Sequence, residues 1–126
     1  MASPAVAMTV ETQQPPAPKL DNVLYEKRSG IAYVTLNRPK VLNALNTPTW
    51  RDLRTAFEDA RDDAIVRGVI LTGAGDKAFI AGADIGELAR ASAIDAERSS
   101  RIGQEVLDLV ENLGKPVIAA INGFAL

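Results

Sequence analysis

The 126-residue chain contains no cysteine and no histidine. The absence of cysteine excludes a disulfide framework, a thiolate nucleophile and any metal site that uses thiolates. The absence of histidine excludes a Ser-His-Asp triad, a histidine general base and the common zinc sites. Any proton transfer by these residues would therefore have to use carboxylates, lysine or tyrosine.

Neither charge nor hydrophobicity points to a nucleic acid or a membrane. Lys and Arg number 14 against 16 Asp and Glu, for a formal net charge of -2, and no basic block occurs along the chain. The longest apolar run, residues 117–121, has the length of a strand and is far shorter than a membrane span. We therefore expect no nucleic-acid partner and no membrane association. The lack of cysteine and histidine leads us to expect no metal ion.

The first 19 residues differ in composition from the rest. They are rich in Ala, Pro, Thr and Gln and carry one acid, Glu11, and one base, Lys19. They lack the basic start and apolar middle of a secretory signal and the arginines of a mitochondrial transit peptide. We predict a disordered leader over residues 1–19, a folded domain over residues 20–126, and a cytoplasmic protein.

The remaining sequence alternates strand patterns with helical patterns. Residues 23–27 and 31–37 flank the turn residues Ser29 and Gly30 and predict a hairpin. Thr47 is a suitable N-cap for a first amphipathic helix, whose apolar face consists of Trp50, Leu53, Phe57 and Ala60. Ser92 with Asp95 three residues later predicts another helix start, and Gly114 ends that last helix. The apolar stripe of the last helix consists of Ile102, Val106, Leu109, Val110 and Leu113. A strand expected to be buried on both faces is predicted at residues 69–72, and a second, uniformly apolar strand at residues 117–121. The order hairpin, helix, strand, helix, strand predicts an α/β fold with a mainly parallel sheet.

Residues 81–85, Ala-Gly-Ala-Asp-Ile, form the first candidate site. Gly82 permits close backbone approach, and Asp84 with Glu87 three residues later is typical of a helix start. Free N–H groups at a helix start favour negative charge, so the oxyanion of a thioester enolate would fit there. An ordinary strand-to-helix turn explains the same residues.

Two further segments allow a functional and an ordinary interpretation. Residues 73–78 fit the G-x-G-x-x-A dinucleotide fingerprint, but that motif requires a helix starting within the glycines and an acid ending the next strand. Gly82 interrupts the required helix, and Asn122 stands where the required acid would be, so a plain glycine turn is favoured. The tripeptide at 40–42, Lys-Val-Leu, could wrap a pantetheine-like arm or be a solvated lysine beside core residues.

Three segments together resemble the crotonase (enoyl-CoA hydratase/isomerase) family. Residues 36–45, LNRPKVLNAL, are similar to the signature between its second strand and first long helix. Residues 78–85, AFIAGADI, resemble its A-F-x-A-G-A-D-I loop, and residues 115–126 its K-P-x-I-A-A-x-N-G-x-A-L strand and turn. The resemblance covers residues 23–126 and implies the N-terminal units of the crotonase-like ββα superhelix.

The resemblance implies a role for each candidate residue. The backbone N–H of Ala83 would be one half of an oxyanion hole that holds the carbonyl of an acyl-CoA thioester. Coenzyme A is part of the substrate, so no separate cofactor is expected, and the family assembles as homotrimers or hexamers. The residues expected to contact coenzyme A are Lys40, Val41, Leu42, Ala81, Asp84 and Ile85.

The resemblance also implies what these residues lack. In the family, a glycine-rich stretch with the second oxyanion N–H and the first of two catalytic glutamates follows the position of Leu126. We therefore expect a truncated and inactive N-terminal portion of an enoyl-CoA hydratase of fatty-acid degradation. The alternatives are another crotonase-fold reaction (isomerase, decarboxylase or synthase), or a fragment that only binds coenzyme A or a partner subunit.

Overall fold

The computed structural model describes residues 16–126. Residues 1–15 of the predicted leader lie outside the described residues, and residues 16–19 have no regular secondary structure, although Ala17 packs against the core. The helices are α1 (Thr47–Asp62), α2 (Ile85–Arg90) and α3 (Ala93–Glu111), with one 3-10 turn at Pro39–Val41. The strands are β1 (Val23–Arg28), β2 (Ile31–Leu36), β3 (Gly68–Gly73), β4 (Ala78–Ile80), β5 (Val117–Ala119) and β6 (Phe124–Ala125).

The main sheet has four strands in the order β1-β2-β3-β5. The hairpin β1-β2 is antiparallel, whereas β2-β3 and β3-β5 are parallel, with Leu36 opposite Gly73 and Val69 opposite Val117. The predicted hairpin and mainly parallel sheet are confirmed. The last of these strands is shorter than predicted, since β5 ends at Ala119 rather than at residue 121.

A second, two-stranded parallel sheet pairs β4 with β6 and was not predicted from the sequence. It returns the end of the chain to β4, where the Leu126 N–H donates to Ile80 O at 3.1 Å. Gly123 allows this return, because a Cβ added there would lie 2.3 Å from Lys77 O. Strand β4 is thus paired with residues 124–125.

The core lies between one face of the main sheet and the helices α1 and α3. Alternate residues of β2 are buried, as expected for a strand with one face in the core. The predicted stripe of α1 is confirmed by Leu53, Phe57 and Ala60, and that of α3 by Val106. In β3, which was predicted to be buried on both faces, Val69 is buried while Ile70 and Leu71 are partly exposed. The apolar strand β5 is more open, since Ile118 is 60% exposed.

Local capping explains where each helix begins. Asp84 Oδ1 accepts from the Glu87 N–H and Ser92 Oγ from the Asp95 N–H, each at 3.1 Å, as the sequence predicts. For α1 the prediction is wrong by one residue: Asn46, rather than Thr47, is the N-cap. The Asn46 Oδ1 accepts from the Thr49 N–H at 3.0 Å.

A cluster of charged side chains ties β1 to the C-terminal end of α1. Lys27 Nζ lies 3.0 Å from Asp59 Oδ2 and 2.9 Å from Asp63 Oδ2, and the Tyr25 hydroxyl donates to Asp59 at 2.7 Å. Burial opposes the charge of Lys27, but the hydrogen bonds to Asp63 and Asp59 outweigh it and raise its pKa. Burial, followed by the bond to Asp59, raises the pKa of Tyr25.

Candidate active site

Two of the segments singled out in the sequence lie side by side. The Ala81 N–H donates to Leu42 O at 3.1 Å, and the Leu45 N–H donates to Gly82 O at 2.8 Å. The Asp84 N–H returns a bond to Leu45 O at 3.0 Å, which completes a parallel bridge between Leu45 and Ala83. Gly82 has φ +103°, a left-handed conformation that glycine adopts readily, so its place in the motif has a local reason.

The bridge leaves the N–H of Ala83 unused. In an extended segment, successive backbone groups point to opposite sides, so Gly82 O and Asp84 N face Leu45 while the Ala83 N–H faces away. Within the part of the chain that the structure describes, this N–H donates no hydrogen bond. Ala83 is also solvent-exposed. A backbone donor held by bonds on both sides, in an exposed residue, has the fixed position that a preorganised oxyanion site requires.

Arg38 fixes this bridge to the start of α2, a role that its sequence context did not indicate. Its Nη1 donates to Ala44 O at 2.6 Å and to Asp84 Oδ2 at 3.0 Å. Both side chains of the ion pair are only 18% exposed. The N–H of Glu87, followed by the Arg38 guanidinium, lowers the pKa of Asp84, which is therefore ionised at neutral pH.

Glu87 has a different role from that of a capping-box glutamate. Its carboxylate accepts from the Thr47 N–H at 2.9 Å and from the Thr47 hydroxyl at 2.8 Å. The Thr47 hydroxyl also lies 3.0 Å from Ser99 Oγ. Glu87 therefore joins α2 to the first turn of α1 and, through Thr47, to α3.

Two asparagines hold the glycine-containing loop that precedes β4. Asn43 is 1% exposed, and its Nδ2 donates to Ala74 O at 3.1 Å and to Ala78 O at 2.9 Å. Asn122 approaches the loop from the other side: its Nδ2 lies 2.9 Å from Gly73 O, and its Oδ1 accepts from the Gly73 N–H at 3.0 Å. Sequence reasoning assigned no function to either residue, since a single asparagine in a loop or turn has many ordinary explanations.

The same loop does not have the geometry of a dinucleotide-binding turn. The residues after Gly73 form bends and lead directly into β4, and the next helix starts only at Ile85. A dinucleotide fingerprint needs the helix to begin within the glycines so that its N-terminus faces the pyrophosphate. The plain glycine turn is thus confirmed.

A mostly apolar cavity of about 310 Å³ lies beside Ala83. Its size and its combination of apolar walls with few polar groups are typical of small-molecule sites. It is bounded by the loop before α1 and by all three helices. The lining residues are Leu45, Trp50, Ala83, Asp84, Glu87, Leu88, Ala96, Ser99, Ser100, Gly103, Gln104 and Leu107.

The residues expected to contact coenzyme A lie around this junction but are divided between two cavities. Asp84 lines the first, together with the predicted oxyanion donor Ala83, whereas Lys40 and Leu42 line a second one of about 230 Å³ that also includes Lys77. Neither cavity is lined by the other residues expected to contact coenzyme A, which are Val41, Ala81 and Ile85. Val41 is 46% exposed and Ile85 80% exposed, so both are accessible to a ligand.

The described residues also bear on metal binding and membrane insertion. Within residues 16–126, no group of three or more His, Cys, Asp or Glu side chains is arranged to hold a metal ion. In the same residues, no helix has the length and hydrophobicity needed to cross a bilayer.

The fold and the site define an α/β protein with a backbone donor beside an apolar cavity. The amino-acid sequence that forms them is similar to sequences of known proteins. The profile of the enoyl-CoA hydratase/isomerase family matches residues 26–126. A short-chain-enoyl-CoA hydratase from Clostridium acetobutylicum is 47% identical over 108 residues, which are 86% of this chain and 41% of that protein. A crotonyl-CoA hydratase from Syntrophomonas wolfei is 45% identical over 106 residues, which are 84% of this chain and 41% of that protein.

Solved structures show the same relationship. The crystal structure of an enoyl-CoA hydratase from Bacillus anthracis matches with a TM-score of 0.80 at 35% identity, covering 83% of this chain and 41% of that one. The chain belongs to the enoyl-CoA hydratase/isomerase family, and its fold is the N-terminal part of the crotonase fold. It spans 41% of the length of each of the two curated relatives above.

Proposed function

We propose that this chain forms the thioester-binding part of an enoyl-CoA hydratase. The Ala83 N–H would donate to the carbonyl oxygen of a 2-enoyl-CoA thioester, and the acyl group would occupy the apolar cavity beside it. Two observations carry the proposal: the Ala83 N–H donates no hydrogen bond within residues 16–126, and Ala83 lines that cavity. The names of the relatives from Clostridium acetobutylicum and Syntrophomonas wolfei support the same class of substrate.

A donor in this position favours the transition state over the ground state. When water adds to the β-carbon, negative charge develops on the thioester oxygen, so a hydrogen bond to that oxygen strengthens as the reaction proceeds. One such donor is typically worth about 10²- to 10³-fold in rate. The bonds of Leu45 to Gly82 and Asp84 hold the donor in place before the substrate arrives.

The carboxylates near Ala83 are engaged in structural bonds. Asp84 caps α2 and pairs with Arg38, and Glu87 accepts three hydrogen bonds from Thr47. Hydration needs one group to take a proton from water and another to deliver a proton to the α-carbon. We propose that glutamates outside these 126 residues supply both functions, so that this segment alone binds thioesters without hydrating them. Isomerase, decarboxylase and synthase reactions would differ in those same groups.

The remaining expectations are also proposals. We propose a role in fatty-acid degradation, assembly as a homotrimer or hexamer, and a cytoplasmic location, all carried over from the family resemblance. An uncovered apolar surface lies on β5, β6 and the residues around them. Exposed apolar patches of this kind mark interaction sites, so this surface supports the proposal that the protein packs against further subunits or segments. Its residues include Ile118, Ile121, Phe124 and Leu126, each at least 60% exposed.

A fluorescence titration tests the binding proposal. Trp50 is the only tryptophan of the chain and lines the cavity, so its emission reports on occupation of the cavity. Butyryl-CoA should change the emission in a saturable manner, and free coenzyme A should change it much less because it carries no acyl group. A chain that shows neither a fluorescence change nor a heat of binding in calorimetry with butyryl-CoA would contradict the proposal.

A further inference from the structure

Trp50 and Gly103 meet at one wall of the cavity. Both residues line it, Trp50 from α1 and Gly103 from α3. Gly103 is buried, and the indole of Trp50 lies against its α-carbon. A Cβ added at Gly103 would lie 3.1 Å from both Cε2 and Cζ2 of the indole.

We propose that this pair of residues limits the length of the acyl group that the cavity accepts. The inference rests on the proposed function, because it assumes that the acyl group enters the cavity beside Ala83. The indole is the largest side chain in the wall, and the missing Cβ of Gly103 is what lets it lie this close to α3. Gly103 is therefore a specificity-determining residue that acts through the position of Trp50.

The contacts predict the direction of each substitution. In Gly103→Ala, the new methyl group would approach the ring more closely than ordinary van der Waals contact allows, so the indole must shift away from α3. Because Gly103 and Trp50 both line the cavity, the new methyl group and the displaced indole together reduce its length. In Trp50→Phe, the smaller ring leaves apolar space at the same wall and lengthens the cavity. Folding should survive Gly103→Ala, since alanine favours a helix more than glycine does.

Affinity as a function of chain length measures the position of the wall. Each methylene that enters an apolar site strengthens binding by roughly fourfold, so affinity should rise along a saturated acyl-CoA series and then stop rising. Calorimetry on the intact protein, with acetyl-CoA to decanoyl-CoA as ligands, would locate that limit. We expect it at a shorter chain in Gly103→Ala and at a longer chain in Trp50→Phe.

Two controls separate a moved wall from a damaged protein. The double variant Gly103→Ala/Trp50→Phe should return the limit toward that of the wild type, because the smaller ring accommodates the new methyl group. Asp108→Ala, on an exposed position of α3 that does not line the cavity, should leave the profile unchanged. Free coenzyme A should bind all variants equally.

The outcomes distinguish this inference from the proposed function. If the wild type binds no acyl-CoA, the proposed function fails and the inference fails with it. If it binds acyl-CoA but the limit stays at the same chain length in both single variants, the proposed function stands and the role of Trp50 and Gly103 is refuted. A limit that moves in opposite directions in the two variants, and returns in the double variant, supports the inference.

Discussion

The ion pair between Arg38 and Asp84 should stabilise both the fold and the position of the Ala83 donor. The informative perturbation is a double-mutant cycle of Arg38→Met and Asp84→Asn. Asparagine caps helices as well as aspartate does, so Asp84→Asn removes the charge while preserving the cap. Arg38→Met removes the guanidinium and its bond to Ala44 O.

The magnitudes follow from burial and bonding. Bonds to charged groups contribute about 1.5–3 kcal/mol each, so Arg38→Met, which removes two, should lower the free energy of unfolding by about 3 kcal/mol. Asp84→Asn keeps the cap through Oδ1 but places an amide N–H donor where Oδ2 accepted from Arg38, so it loses that hydrogen bond and should cost about 2 kcal/mol. Both side chains are only 18% exposed, so their coupling energy should exceed that of a surface pair. We expect a coupling energy of about 1 kcal/mol.

Urea unfolding monitored by circular dichroism at pH 7 would give the four free energies. Arg54→Met is the matched control, because it breaks a 2.6 Å ion pair with Glu105 whose side chains are 37% and 54% exposed. That substitution should cost less than about 1 kcal/mol. The affinity for butyryl-CoA, measured on the same samples, should fall in Arg38→Met and not in Arg54→Met.

The pH dependence provides an independent check. The folded-state pKa of Asp84 is lowered, so its contribution is present above the unfolded value of about 3.9 and is lost as pH falls through the folded value. Asp84→Asn should therefore lose less stability than the wild type on acidification. A coupling energy within about 0.3 kcal/mol of zero, with identical acid profiles, would refute the role of the pair.

Two further predictions concern the scaffold. Lys27→Met should lower the free energy of unfolding by about 3 kcal/mol, because it removes the cation held between Asp59 and Asp63. The folded-state pKa of Lys27 is raised above its unfolded pKa of about 10.4. The stability difference between wild type and variant should therefore persist below the unfolded pKa and vanish as the pH rises through the folded-state pKa. An advantage that persists unchanged at strongly alkaline pH would contradict this account. In urea unfolding, Asn122→Asp should destabilise the protein more than Asn122→Ala does. A carboxylate cannot donate to the carbonyls of Gly73, Gly75 and Ala78 and would repel them. A larger loss of stability in Asn122→Ala would contradict this role of Asn122.

Local sequence signals predicted the elements whose causes are local. The hairpin, the caps at Asp84 and Ser92 and the apolar stripes of α1 and α3 each depend on residues a few positions apart. The cap of α1 shows the limit of this reasoning. Asn46 and Thr47 are both good caps, and Thr47 is engaged by Glu87, which lies 40 residues away and carries no sequence signal of that contact.

Features that depend on distant residues were missed for the same reason. Strands β4 and β6 are three and two residues long, too short for a periodic pattern, and their pairing joins Ala78 to Phe124. Arg38 and Asn43 have the sequence context of ordinary loop residues. The roles of a buried, hydrogen-bonded asparagine and of a largely buried arginine can be recognised only once the positions of their partners are known.

The assignment of the Ala83 N–H as an oxyanion donor came from the motif at residues 81–85 and the family resemblance, and it stays a prediction. The structure adds the local geometry of that backbone group. The physical reason that this donor is free lies in the parallel bridge with Leu45, which uses the backbone groups on either side of it and joins segments nearly forty residues apart. The division of the expected coenzyme A contacts between two cavities was likewise not predictable from the sequence.

The most direct test of the central claim is the amide proton resonance of Ala83. In ¹⁵N-labelled protein, saturating butyryl-CoA should move this resonance downfield, because the N–H would change from a solvent contact to a hydrogen bond with the thioester carbonyl. Free coenzyme A, which has no such carbonyl, should leave it nearly unchanged. If butyryl-CoA binds and shifts resonances of the cavity wall while the Ala83 amide stays in place, Ala83 does not bind the carbonyl and the proposed oxyanion site is wrong.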